Sequence, residues 1–100
     1  ATRLELQSVL EDLLGPNHVY YQPPESVKMT YPAIVYSKPG YSTRKADDIL
    51  YAKMSRYDLT VIDRVPDNPI IDQLLEFPYC SYDRQFKSDN LYHDTFTLYF

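Results

Sequence analysis

Residues 54–75 constrain the fold more than any other stretch, because the spacing of their apolar side chains changes partway along. In the first half, apolar and polar residues alternate with a period of two, which is typical of a strand with one buried face. The inward set is Tyr57, Leu59 and Val61, and the outward set is Arg56, Asp58 and Thr60. The sequence therefore predicts a central strand with one apolar face.

The second half of this stretch changes to helical spacing. Asn68 is a residue type that caps helices, and Pro69 suits the first helical position. The apolar stripe that follows is Ile70, Ile71, Leu74 and Leu75. We expect a short helix that folds back over the apolar face of the strand.

An amphipathic helix is predicted at the amino terminus. Thr2 and Glu5 have the spacing of a capping box, and Gly15 followed by Pro16 ends the helical pattern. Its apolar face comprises Leu6, Val9, Leu10, Leu13 and Leu14.

The other predicted elements are strands. Two short ones are expected at residues 18–22 and 33–38, each bounded by prolines, and two longer ones at residues 80–87 and 91–100. The element order is α-β-β-β-α-β-β. It predicts one α+β domain over residues 1–100, a mostly antiparallel β-sheet with two α-helices packed on one face.

The last two strands read as a hairpin whose turn is signalled by Ser88–Asn90. Strict alternation assigns the side chains of both strands to opposite faces. In the first strand, one side carries Cys80, Tyr82, Arg84 and Phe86, and the other carries Ser81, Asp83, Gln85 and Lys87. In the second strand, Phe96, Leu98 and Phe100 are expected to face inward, and His93, Thr95 and Thr97 outward.

Residues 40–53 are the least determined part of the sequence. A basic pair, Arg44 and Lys45, is followed closely by Asp47 and Asp48. Residues 49–52 fit either one helical turn or the start of the next strand. We interpret the segment as a long projecting loop, a kind of segment that often has a function.

Length, charge and cysteine usage exclude several classes of protein. The 100 residues make one domain, and the formal charge of −4 argues against a general nucleic-acid binder. The single cysteine, Cys80, rules out an internal disulfide framework. With no apolar run long enough for a signal peptide or a membrane span, we expect a soluble protein made in the cytoplasm.

No group of residues forms a recognisable catalytic motif. His18 and His93 lie on different predicted strands, and a metal site would need a third ligand such as Asp89 or Asp94 beside them. Cys80 has no basic neighbour in sequence that would lower its pKa. The acids that invite a paired-carboxylate hypothesis are Asp47, Asp48, Asp58, Asp63, Asp67 and Asp72. Since Asp is common in turns for local reasons, we expect no enzyme activity, cofactor or metal.

The order of these segments resembles the small neck and tail proteins of tailed bacteriophages, most closely the tail terminator or tail-completion family. The resemblance rests on a leading helix that ends at GPN, a YPAIVY strand, a long loop, the strand YDLTVID, the corner PDNP and the closing hairpin FKSDNLYHDTFTLYF. It covers nearly the whole chain, at the level of element order.

The resemblance implies a structural virion protein that forms a homo-hexameric ring. Such a ring caps the tail tube protein and joins it to the head-connector or neck protein, without a cofactor, a membrane or specific nucleic-acid binding. Thr60, Thr95 and Thr97 would then join the implied contact residues, which are Tyr41, Arg44, Lys45, Asp47, Asp48, Arg56, Asp58 and His93.

Three alternatives stay open at this point. The chain could be another phage neck or tail component, for head completion or the tube. It could be a small non-catalytic module that binds a peptide or protein through a Tyr-rich sheet, since the chain has 11 Tyr. A small enzyme with an acid pair is the third.

Overall fold

The computed structural model describes residues 3–24, 26–38 and 56–100. Its elements follow the predicted order. They are the helices α1 (Arg3–Leu14) and α2 (Ile70–Leu75), and the strands β1 (Val19–Tyr21), β2 (Ala33–Ser37), β3 (Arg56–Asp63), β4 (Cys80–Ser88) and β5 (Leu91–Tyr99). The predicted loop at residues 40–53 lies outside the described residues, and so does Thr2.

One five-stranded sheet organises the chain, with the strand order β1-β2-β3-β5-β4. β1 and β2 are parallel, and every other neighbouring pair is antiparallel. The predicted α+β class and the mostly antiparallel sheet are confirmed.

The hydrophobic core lies between both helices and one face of the sheet. β3 is the central strand, and its Tyr57, Leu59 and Val61 are buried as the alternation predicts. Leu6 and Leu10 of α1 and Ile70 and Leu74 of α2 pack against this face, together with Val19, Ile34, Tyr36, Phe96 and Leu98 from the other strands. Both helices therefore cover the same face of the sheet.

Local chemistry explains where the helices begin and end. Gly15 has a φ of 109°, a conformation that glycine adopts readily, and its N–H donates to the Glu11 carbonyl at 2.7 Å. At α2, the Asn68 side-chain oxygen accepts the Ile70 N–H at 2.8 Å, as expected of a capping residue. The α2 stripe is shorter than predicted, because Leu75 is 42% exposed.

The first predicted strand is shortened at both ends. His18 belongs to a 3-10 turn at Pro16–His18, and Gln22 leaves the strand with a φ of 43°. Lys38 and Phe100 likewise fall outside β2 and β5.

The hairpin between β4 and β5 turns through Asp89 and Asn90, whose φ values are 53° and 63°. Positive φ at both central residues is the signature of a type I′ turn, which suits the twist of a tight hairpin. The predicted turn is confirmed. The side-chain assignment on β4 is wrong beyond Tyr82, however, because a bulge between Tyr82 and Arg84 shifts the register.

The bulge moves every β4 side chain that follows it to the face opposite the predicted one. Before it, Tyr82 pairs with Phe96 on the core side. After it, Arg84 pairs with Thr95 and Phe86 with His93, on the side away from the helices. An extra residue in one strand of a ladder reverses the alternation of everything that follows.

Candidate interaction surface

The predicted contact residues of the strands lie on one surface, the face of the sheet opposite α1 and α2, which we call the far face. It comprises Tyr20, Ala33, Val35, Ser37, Arg56, Asp58, Thr60, Ile62, Ser81, Asp83, Arg84, Phe86, His93, Thr95, Thr97 and Tyr99. No described helix packs on this face.

Strand register brings the predicted residues together in rows across the sheet. One row places Ser37, Asp58, Thr97 and Ser81 side by side. The next row contains Val35, Thr60, Thr95 and Arg84. The sequence pattern thus correctly places Arg56, Asp58 and His93 on one face with the three threonines. Tyr41, Arg44, Lys45, Asp47 and Asp48 lie outside the described residues.

Side-chain hydrogen bonds connect the middle of the far face. Thr97 Oγ1 donates to Asp83 Oδ2 at 3.0 Å, and Thr95 Oγ1 donates to the Arg84 carbonyl at 3.2 Å. Arg56 Nη2 lies 3.4 Å from Asp58 Oδ1. Because both partners in this ion pair are partly exposed, it adds little stability. The far face is thus a polar surface whose side chains are oriented by their neighbours.

An aromatic stack lies at the β4 end of the far face. The rings of Phe86 and His93 are stacked, with centroids 4.8 Å apart and planes 12° apart. The Arg84 guanidinium carbon lies 5.1 Å from the Phe86 ring centroid. Phe86 is 38% exposed. Stacked aromatic and Arg side chains are common at protein interfaces. Neither Arg84 nor Phe86 is assigned to this face by alternation alone, and the sequence of β4 contains no glycine or proline that would mark the bulge.

The face also has an apolar part. Ala33 and Ile62 pair across β2 and β3, and both are buried. Among the described tyrosines, Tyr20 and Tyr99 belong to the far face, whereas Tyr36 and Tyr57 are in the core. The far face is therefore richer in threonine and charged residues than in tyrosine.

A second feature, the acidic cleft, lies on the core side of the sheet beyond α2. It has a volume of about 250 Å³ and is lined by Pro66, Asp67, Asn68, Ile71, Asp72, Tyr82, Gln85 and Asp94. Asp94 is only 3% exposed, and its Oδ1 accepts the Tyr82 hydroxyl at 2.9 Å and the Gln85 amide at 3.0 Å. Partial burial and the Asp94 carboxylate raise the pKa of Tyr82.

Asp94 is the polar residue that sequence reasoning placed least well. From the sequence, Asp94 is considered only as a third metal ligand beside His18 and His93. Its position between Tyr92 and Phe96 already indicates that it faces inward, because alternate residues of a strand share a face. Among the described residues, no group of three or more His, Cys, Asp or Glu side chains is placed to hold a metal ion.

An apolar groove of about 350 Å³ lies at the opposite end of β5. Val9, Phe77, Pro78, Tyr79, Leu98, Tyr99 and Phe100 line it. Cys80, next to this groove, is a free thiol, and burial raises its pKa to about 11. The thiol is therefore protonated at neutral pH and is a poor nucleophile.

The two histidines have structural partners. His18 Nδ1 lies 2.8 Å from the Pro32 carbonyl and 3.1 Å from that of Thr30, which links the turn before β1 to the segment that enters β2. His93 Nδ1 lies 3.2 Å from the Leu91 carbonyl. Asp63, at the end of β3 before the PDNP corner, accepts hydrogen bonds from the Arg64 N–H and the Asn68 amide. This local role is the one expected of aspartate at a turn.

A scan against models of protein families finds no match to this chain, and neither a search of curated proteins nor a search of solved structures finds one. No helix in the described part of the chain is long and apolar enough to span a membrane.

Proposed function

We propose that this chain is a structural virion protein of a tailed bacteriophage, of the tail-terminator kind, which acts by forming a ring. The ring would cap the tail tube protein and contact the head-connector or neck protein. The observation that carries the proposal is the far face, where Arg56, Asp58 and His93 lie together with a row of threonines. The same face carries Phe86 and Arg84 stacked beside His93, and aromatic and Arg side chains are the types enriched at contacts between proteins.

The composition of the far face favours assembly over a peptide-binding module. A module that holds a peptide on a Tyr-rich sheet needs tyrosines on an accessible face. The strands place Tyr20 and Tyr99 on the far face, whereas Tyr36 and Tyr57 are 1% and 2% exposed and belong to the core. The far face does not distinguish a terminator from the alternatives within the phage class, a head-completion or a tube protein.

The mass of the protein in solution tests the proposal. We expect light scattering to give a hexamer, and electron microscopy of the same sample to show rings. A monomer that also fails to bind isolated tail tubes would refute the proposal.

A matched pair of variants locates the ring contact. Thr60→Arg adds a large charged side chain at the centre of the far face, and we expect it to abolish the ring. Gln73→Arg adds the same charge on the exposed side of α2 and should leave the ring intact. Rings formed equally well by both variants would exclude the far face as the contact surface.

A further inference from the structure

The free edge of β4 is the longest unpaired strand edge among the described residues. β4 has nine residues, lies at the end of the sheet and pairs only with β5. Residues 81–90 are all exposed, so no element in the described part of the chain covers this edge. The opposite edge strand, β1, has only three residues. A long uncovered edge is a template for pairing with another strand.

The hairpin turn determines which backbone groups of β4 point outward. A two-residue turn makes Ser88 and Leu91 a hydrogen-bonded pair, and such pairs alternate along an antiparallel ladder. Phe86 and His93 form the next hydrogen-bonded pair. The N–H and C=O groups of Gln85 and Lys87 therefore point away from β5, toward the free edge.

The side chains of Gln85 and Lys87 lie on the face that bears the acidic cleft. Gln85 pairs with Asp94 and lines the cleft, and Lys87 pairs with Tyr92, two residues before Asp94. The carboxylates of Asp67, Asp72 and Asp94 make the cleft a favourable environment for a cation. Lys87 of the same chain instead lies over the Tyr92 ring, 5.3 Å from its centroid.

We propose that β4 pairs antiparallel with β4 of a second copy of this chain, about a two-fold axis at Phe86. Gln85 then faces Lys87 of the second copy, and the outward backbone groups of these residues form about four hydrogen bonds. The two five-stranded sheets become one continuous sheet. The bulge between Tyr82 and Arg84 limits the pairing to residues 84–88.

Charge complementarity favours a second copy as the occupant of this edge. In this register, Lys87 of each copy lies opposite Gln85 of the other, beside the acidic cleft. Arg84 faces Ser88, and no like charges are opposed. Phe86 faces its own counterpart on the far face in a non-hydrogen-bonded pair, where cross-strand side chains approach most closely. The sequence of the edge is therefore complementary to itself.

This contact is independent of the ring proposed above. It would link copies in pairs whether or not a larger assembly forms, and it uses the edge of the sheet instead of the centre of the far face. A protein that never forms hexamers can still form this dimer. The two proposals can therefore fail separately.

Two variants at Lys87 test the pairing. Lys87→Pro removes the outward N–H without breaking the ladder to β5, so we expect a folded protein that no longer pairs. Lys87→Ala keeps the N–H and removes the charged side chain, and we expect the dissociation constant of the pair to rise about two- to five-fold. Sedimentation over a wide range of protein concentrations gives the mass and the dissociation constant of each variant.

Amide hydrogen exchange on the unmodified protein supplies a second test that needs no variant. The N–H groups of Gln85 and Lys87 should exchange slowly in concentrated samples and rapidly in dilute ones, while that of Phe86 stays protected throughout. Unmodified protein that is monomeric at every concentration would overturn the proposal. An assembly whose mass is unchanged by Lys87→Pro would overturn it too.

Discussion

Leu59 provides the most direct test of the core, because it lies at the centre of the sheet. It is fully buried, and the register places Tyr36 on one side of it and Phe96 on the other. Both neighbours are themselves buried and are held by the strand ladder, so neither can move far into a vacated space. Replacing Leu59 with Ala should therefore leave a cavity instead of a collapsed core.

The magnitude follows from the burial. A Leu→Ala change at a buried site lowers the free energy of unfolding by about 2–5 kcal/mol. Because the space around Leu59 cannot collapse, we expect a loss in the upper part of this range, about 3 kcal/mol or more. Each kcal/mol lowers Tm by about 4–8 °C in a domain of this size, so we expect a decrease of about 12–24 °C. That is a large share of a total stability of about 5–15 kcal/mol.

Urea unfolding of the unmodified protein and of Leu59→Ala measures the difference in the free energy of unfolding. An equal m-value for the two proteins would show that the unfolded state is unchanged. The matched control is Thr60→Val, the next residue along β3. The Thr60 side chain points to the far face, and valine has nearly the same shape as threonine. The free energy of unfolding should therefore change by no more than about 0.5 kcal/mol. Leu59→Asp should abolish folding, since it buries an unpaired charge. A loss below about 1 kcal/mol for Leu59→Ala, or a soluble folded Leu59→Asp, would show that the strand faces are assigned wrongly.

Two further predictions concern alkaline pH and the hairpin turn. Burial raises the pKa of Cys80 from 9.0 to about 11, so the unfolded chain loses this proton first, and stability should fall as pH rises between these values. Urea unfolding at several pH values should show that the free energy of unfolding falls less steeply with pH for Cys80→Ser than for the unmodified protein. Some fall should remain, because burial also raises the pKa of Tyr36. Identical slopes for the two proteins would show that Cys80 does not contribute to the pH dependence. Asn90→Ala should cost about 1 kcal/mol, since Asn90 has a φ of 63°, whereas Asn90→Gly should cost nothing. Equal thermal stability of the two Asn90 variants would show that the turn does not need positive φ.

The sequence alone determined the element order and most of the buried face. The alternation of Tyr57, Leu59 and Val61 and the helical spacing of Leu6 and Leu10 are local signals, because a side chain's face depends only on its neighbours along the chain. The turn at Asp89 and Asn90 is also a local signal, because it depends on the residue types at those two positions. Among the contact residues, Arg56, Asp58 and His93 could be assigned to one face from their strand parity.

Only the tertiary structure decided what depends on pairing between distant segments. The strand order puts β5 between β3 and β4, which leaves β4 at the edge of the described sheet, with only the outward N–H and C=O groups of residues such as Gln85 and Lys87 outside the ladder. The bulge after Tyr82 moves Arg84 and Phe86 to the far face, and its position is defined only by the pairing of β4 with β5. Asp94 becomes a buried acceptor only because β4 brings Tyr82 and Gln85 beside it. Cross-strand register is a property of two segments together, so no pattern within one of them specifies it.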